Sequence, residues 1–305
     1  MNTHWSAHLT LSVVHFMAFP GTANGEGPIV ETVQMIAEDE FFGGIEIARI
    51  HDPAARKQVK QILDVAHMPG AFCAHPTLLG QRLDLNSADS AMRARAVAEL
   101  KVDVDQAAEL GMGRLTMLSG FDPGEAKRAE AVRLLVDSLH EVCAYGKTHG
   151  VGITLETFDR TVEKKALLGP TEEAVAFSKQ IRKEYLDFGL LYDLSHQPLL
   201  DESIPAALKA LKEHLVHAHV GNCVKVPGRP AYGDQHPRFG FPGGVNDVKQ
   251  LVEFLDGLFM IGYLKRVPDG KKPWVGFEVK PQPGESSEML LAGTRRVWTE
   301  AWARV

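Results

Sequence analysis

Cysteine is scarce in this chain. The three cysteines, Cys73, Cys143 and Cys223, are odd in number, and no pair has metal-ligand spacing. That pattern excludes a disulfide framework or a thiolate zinc site and points to reduced thiols in a cytoplasmic protein. Long apolar runs are missing as well. The run LTLSVVHFMAF contains His15, is too short and polar to span a bilayer, and has no basic segment ahead of it. We therefore expect neither a membrane span nor a targeting segment. Excess charge of one sign is also lacking. The net charge is −6 with both signs interspersed, which gives no electrostatic reason to expect nucleic acid. The glycines of GTANGEG stand outside any Walker or Rossmann context, so no phosphate cradle is assigned. No linker or low-complexity stretch divides the chain, and we expect one domain over 1–305.

What is present is apolar material at 45% of 305 residues, enough for a large core. It is distributed as short strand-like runs alternating with longer helix-like runs. The strands are expected at 9–16, 43–50, 70–76, 114–120, 152–158, 188–196, 215–222 and 274–281, each followed by a helical stretch. Pro28 suits the first turn of one helix. Ser87 and Asp89 mark the start of another, which Gly111 or Gly113 stops. Strand–helix alternation implies a parallel sheet, and eight units in about 300 residues imply a closed (β/α)8 TIM barrel. Two long loops, about 17–28 and 222–245, fall at C-terminal strand ends, where barrel enzymes build their sites.

Strand alternation then sorts the ionisable residues. Gly152, Thr154 and Glu156 share one face of the fifth strand, opposite Ile153 and Leu155. Gly276 and Glu278 oppose Val275, Phe277 and Val279 on the eighth. His217 and His219 share a face of the seventh, and Asp193 ends the sixth. Four strands thus deliver Glu156, Asp193, His219 and Glu278 to one rim. Carboxylates so convergent repel one another, and a divalent cation resolves the repulsion. The oxygen-rich set favours Mn2+ first, with Mg2+, Co2+ or Fe2+ as alternatives. Glu156 and Glu278 could instead pair with Lys280 or an arginine. Asp193 could cap the Ser195–His196 turn, and His217 competes with His219 as ligand.

The segments GITLETF, LLYDLSHQP, LVHAHVGN and VGFEVKP resemble the xylose-isomerase-like superfamily, which includes sugar isomerases, ketose 3-epimerases and endonuclease IV nucleases. The epimerase resemblance implies one metal held by Glu156, Asp193, His219 and Glu278, with the two glutamates as acid and base on opposite sugar faces. It also implies substrate contacts from His196 and from Lys225, a position where the epimerases carry arginine. The segments GEGPIVET, EDEFFGGIEIA, VGNCV, AYGDQHPRFG and FEVKPQPGE are similar to the catalytic subunits of bacterial C-glycoside deglycosidases. That likeness implies cleavage of 3-oxo-glycosides and a small second subunit. Both branches imply proton abstraction beside a metal-bound oxygenated carbon, through an enediolate.

His15, Glu46, Arg49 and His75, near the ends of the first three strands, are expected either to line the substrate pocket or to be satisfied polar residues. His236 and Arg238 could reach the site from the long loop, which is expected to act as a lid. His140, His149 and His214 fall on helices and read as surface. An oligomer is expected. Two other functions compete. An endonuclease IV-like nuclease would need more histidines and a basic groove. A non-catalytic sugar-binding barrel would bind sugar without proton exchange.

Overall fold

The computed structural model describes residues 3–265 and 271–305. The strands are β1 (Thr10–Val13), β2 (Ile45–Ile47), β3 (Gly70–Cys73), β4 (Arg114–Leu118), β5 (Gly152–Glu156), β6 (Gly189–Asp193), β7 (Leu215–Val220) and β8 (Trp274–Phe277). The α-helices are α1 (His15–Ala18), α2 (Ile29–Ala37), α3 (Pro53–Val65), α4 (His75–Gly80), α5 (Ser90–Glu109), α6 (Glu125–Thr148), α7 (Thr171–Ile181), α8 (Ile204–Leu211), α9 (Val248–Met260) and α10 (Ser287–Trp302). All paired strands are parallel, in the order β1-β8-β7-β6-β5-β4-β3-β2. Among the described residues, the bridge Val14–Glu46 joins β1 to β2. The barrel is thus nearly closed, a (β/α)8 TIM barrel as expected.

Period-two alternation builds its wall. On and just beyond β8, Val275, Phe277 and Val279 are buried against the helices, and the Phe277 ring packs edge-on against Trp298 of α10 at 5.4 Å. Burying side chains of this size contributes about 1.5–3 kcal/mol each. Helix starts follow sequence chemistry. The Asp52 and Asp89 carboxylates accept the Ala54 and Ala91 amides, capping α3 and α5. Gly111, at φ +75°, follows the end of α5 as expected. Pro28 is the cap of α2 rather than a first-turn residue.

The strands are shorter than the apolar runs that announced them. His15 starts α1 and His75 starts α4, so both histidines, expected in strand ends, open short helices instead. Once past the barrel rim, the chain has no sheet neighbour to pair with and turns. The long loop 222–245 is compact, with bridges from Val224 to Tyr232 and Gly244. Its base is clamped by two buried asparagines. Asn222 Oδ1 accepts the amides of Cys223 and Asn246, and Asn246 Nδ2 donates to the carbonyls of Leu194 and Gly221. All three cysteines are free and buried. No described helix is long and apolar enough to cross a membrane.

Candidate metal centre

Glu156 ends β5, Asp193 ends β6, His219 lies on β7, and Glu278 follows β8 directly. Their ligand atoms come within 4.8 Å of one another, all from buried side chains. His219 Nδ1 stands 2.9 Å from Glu278 Oε2, 3.7 Å from Glu156 Oε1 and 3.9 Å from Asp193 Oδ2. Asp193 serves two ends: Oδ1 accepts the Ser195 amide at 2.5 Å, realising the expected turn cap, while Oδ2 faces the cluster. Neither Asp193 Oδ2 nor Glu156 Oε1 has a hydrogen bond among the described residues. Buried carboxylate oxygens are normally partnered, so two left bare in one cluster fit a cation better than a salt-bridge network. Lys280 is not paired with either glutamate among the described residues.

The electrostatics agree with that fit. Burial, reinforced by the charge of Glu278, pushes Asp193 up to about 6. Burial also opposes the charge on Glu156, but His219 and His75 outweigh it and hold that carboxyl below its usual range. Burial likewise opposes charge on His219, yet Glu46, Glu156 and Glu278 raise it well above an ordinary histidine. A divalent ion among these groups would supply the positive charge that the imidazole otherwise provides.

A cavity of about 360 Å3 reaches the cluster at Glu278. Phe16, Met17, Pro20, Leu79 and Phe158 give it an apolar wall, and His75, Lys164, Asp234, His236 and Glu278 a polar one. His75 Nε2 lies 3.1 Å from Glu156 Oε2. His196 Nδ1 donates to the Thr157 carbonyl at 2.8 Å, and its Nε2 meets Asp234 Oδ1 at 3.1 Å. His236 Nε2 meets the same Asp234 oxygen at 2.9 Å. Burial opposes charge on His236, but Glu278 and Asp234 raise it to about 9. His75 and His236 thus border the cavity, whereas His196 is fully buried beside Phe158 and His236 and does not line it.

Other expected contacts lie elsewhere. Lys225 is half-exposed and pairs with Asp201 on the surface, so it does not face the cluster. Lys164 borders the cavity instead, 2.9 Å from Asp234 Oδ2. His15 is held by Thr32 and Thr22, and Arg49 is consumed by Glu99 and Asp103 of α5. Arg238 pairs with Glu285. None of these four borders the cavity. Glu46 lies beneath the cluster, hydrogen-bonded to both β7 histidines. His214 is buried against Ser178 rather than on the surface.

Asp234 and Lys164 were missed from the sequence. Asp234 carried a usable signal, an acidic residue two positions before His236 in a glycine- and proline-rich loop. Lys164 carried none.

An oxygen-rich buried cluster at the C-terminal mouth of a nearly closed parallel barrel defines a metal-capable TIM-barrel site. The sequence matches the Xylose isomerase-like TIM barrel family over residues 30–274, and the chain belongs to that family. It is 32% identical over 95 residues to a D-psicose 3-epimerase of Ruminiclostridium cellulolyticum, an alignment spanning 31% of either chain. The fold resembles the crystal structure of D-psicose 3-epimerase with D-tagatose from Clostridium cellulolyticum H10. That match has a TM-score of 0.71 and 18% identity, over 97% of this chain and 99% of the other. It also resembles the 3-keto-D-glucoside 4-epimerase of E. coli, with a TM-score of 0.66 and 14% identity, over 95% and 99%.

Proposed function

We propose that this chain is a divalent-metal-dependent sugar-active enzyme in which Glu156 and Glu278 exchange protons with a sugar carbon. The observation that carries the reading is the meeting of Glu156, Asp193, His219 and Glu278, with two carboxylate oxygens bare of hydrogen bonds. These four would hold the ion, manganese by preference. The chemistry such an ion supplies when bound is Lewis-acid polarisation of a substrate oxygen, which acidifies the adjacent C–H. Glu156 and Glu278 reach the substrate from separate strands, so one removes a proton and the other returns one. His75, Lys164 and His236 border the cavity and would hold sugar oxygens, His196 would orient Asp234 from behind them, and the 234–236 segment would shield the site from water.

The finer reading is a 3-oxo-glycoside substrate cleaved from its aglycone, as in C-glycoside deglycosidases. The apolar wall of Phe16, Met17, Leu79 and Phe158 supports it, because a free ketose offers little to fill such a surface. A small second subunit, self-association and a cytoplasmic location belong to this same reading.

Metal analysis of the purified protein and of Asp193→Ala is the first test, with about one ion per chain expected and loss in the variant. Glu278→Gln should still bind sugar but fail to exchange substrate hydrogen with deuterated solvent. Release of an aglycone from a 3-oxo-C-glycoside supports the lyase reading. Strong epimerisation of free ketoses by the chain alone sinks that finer reading and leaves the epimerase one. Exchange retained after removal of both glutamates sinks the mechanism.

A metal nuclease is the second reading. The observation favouring it is a further buried group, Asp193, His196 and His236, whose ligand atoms also lie within 4.8 Å of one another. Against it stand the acidic net charge and the pairing of Lys164 with Asp234. DNA binding at low salt together with more than one ion per chain would favour it.

A further inference from the structure

Beneath the cluster lies a carboxylate that the proposed chemistry does not use. Glu46, on β2, is fully buried and does not border the cavity. Its Oε1 accepts from Ser12 Oγ at 2.7 Å and from His217 Nε2 at 3.1 Å. Its Oε2 accepts from His219 Nε2 at 3.0 Å, with Cys73 Sγ at 3.8 Å. A charge on the barrel axis costs several kcal/mol unless its lone pairs are satisfied, and two imidazole N–H groups and a hydroxyl do so here. The space is made by Gly276. A Cβ there would stand 2.1 Å from Glu46 Oε1.

This arrangement dictates how His219 is presented. A carboxylate only accepts, so His219 must carry a proton on Nε2, and by the same rule one on Nδ1, 2.9 Å from Glu278 Oε2, until an ion takes that proton's place. Its other nitrogen, Nδ1, is the one aimed at Glu278, Glu156 and Asp193. His217 and Ser12, on the second carboxylate oxygen, keep Glu46 from rotating away. We infer that Glu46 is a positioning residue that fixes His219 with Nδ1 toward the metal cluster and thereby sets metal affinity. The inference rests on the metal reading above. It assigns Glu46 a role remote from substrate, in place of the pocket contact expected from sequence. Hydrogen-bond partners of metal-bound histidines typically change affinity about 10–100-fold when removed.

Two measurements test it. The first is the dissociation constant for Mn2+ by titration calorimetry in wild type and Glu46→Gln. The glutamine amide has one acceptor oxygen and one NH2 in place of two acceptor oxygens, so it cannot accept from His219 and from His217 with Ser12 at once, which weakens the preference for that tautomer. Binding about 10–100-fold weaker is expected, with a smaller metal-induced rise in Tm than in wild type. A merely structural role would lower the Tm of metal-free and metal-loaded protein alike and leave the dissociation constant unmoved, and that result overturns the inference. The second needs no variant to fold. Nitrogen-15 spectra of the Zn2+-loaded wild-type imidazoles should show His219 protonated at Nε2 and bare at Nδ1. A proton on Nδ1 in that spectrum overturns it as well. If wild type takes up no Mn2+, both the metal reading and this inference fail. If wild type binds and Glu46→Gln binds equally, only this inference fails.

Discussion

A single methyl group at position 276 would meet Glu46 Oε1 at 2.1 Å and His219 Cδ2 at 3.0 Å. Both neighbours are buried and hydrogen-bonded to each other. Gly276→Ala should therefore cost about 1–3 kcal/mol of stability, the usual range for forcing extra volume into a packed core. It should also weaken metal binding, because the strain falls on the Glu46–His219 pair. Chemical denaturation and metal titration of the same variant would check both effects. His15 offers a different residue-scale prediction. Burial lowers its pKa to about 3, whereas an unfolded histidine titrates near 6.5. Between those values the unfolded chain binds one more proton than the folded one, so this group's contribution falls as pH falls, by about 1.4 kcal/mol per unit. His15→Gln should lose stability less steeply between pH 6.5 and 5 than wild type in urea unfolding. Equal slopes would mean that the ring is protonated in place. Lys225→Ala, by contrast, removes a surface pair and should leave stability within about 0.5 kcal/mol.

At the scale of elements, the site depends on two loops meeting. Asp159, just after β5, accepts the amides of Val162, Glu163 and Lys164 and so shapes the first loop. Glu163 then accepts the Asp234 amide at 2.7 Å and the Gln235 side chain at 2.7 Å. Lys164 pairs with Asp234, which joins the two loop histidines. Glu163→Ala removes the anchor without touching a metal-cluster residue. Proteolysis within 222–245 should become faster, and turnover should drop on the order of 10²-fold, the effect of misplacing contacts by about an ångström. Metal content should stay near wild type. A drop in metal content equal to the drop in turnover would mean that the loop holds the ion rather than the substrate.

At the scale of the whole molecule, the Asp193 charge is disfavoured by burial while nearby histidines offset the burial of Glu156 and Glu278, so a cation at the cluster would add its binding free energy to the folded chain. A ligand that binds only the folded chain stabilises it by about 2.7 kcal/mol at one hundred times its dissociation constant. Removal of metal with a chelator should lower Tm, and readdition of Mn2+ should restore it in a concentration-dependent way. Asp193→Ala should show little of that dependence. A Tm indifferent to chelator in wild type would argue against a cation at this cluster.

The sequence by itself determined the barrel and which face each strand turns inward. Both follow from short-range periodicity: Glu156, His219 and Glu278 had to point inward because Ile153, Leu155, Phe277 and Val279 are needed against the helices. It also located the strand ends closely enough to name the four residues that meet at the rim, Glu156, Asp193, His219 and Glu278. Only the tertiary structure decided which loop and rim residues return to the site. Lys225 turned outward to Asp201 and Lys164 inward to Asp234, though both follow strands of the same rim. Arg49 and His15 were taken up by partners 50 and 17 residues away, and Glu46 was claimed by histidines more than 170 residues along the chain. Loops lack a repeating geometry, so their side chains are placed by whichever distant partner satisfies them, and no local pattern encodes that choice.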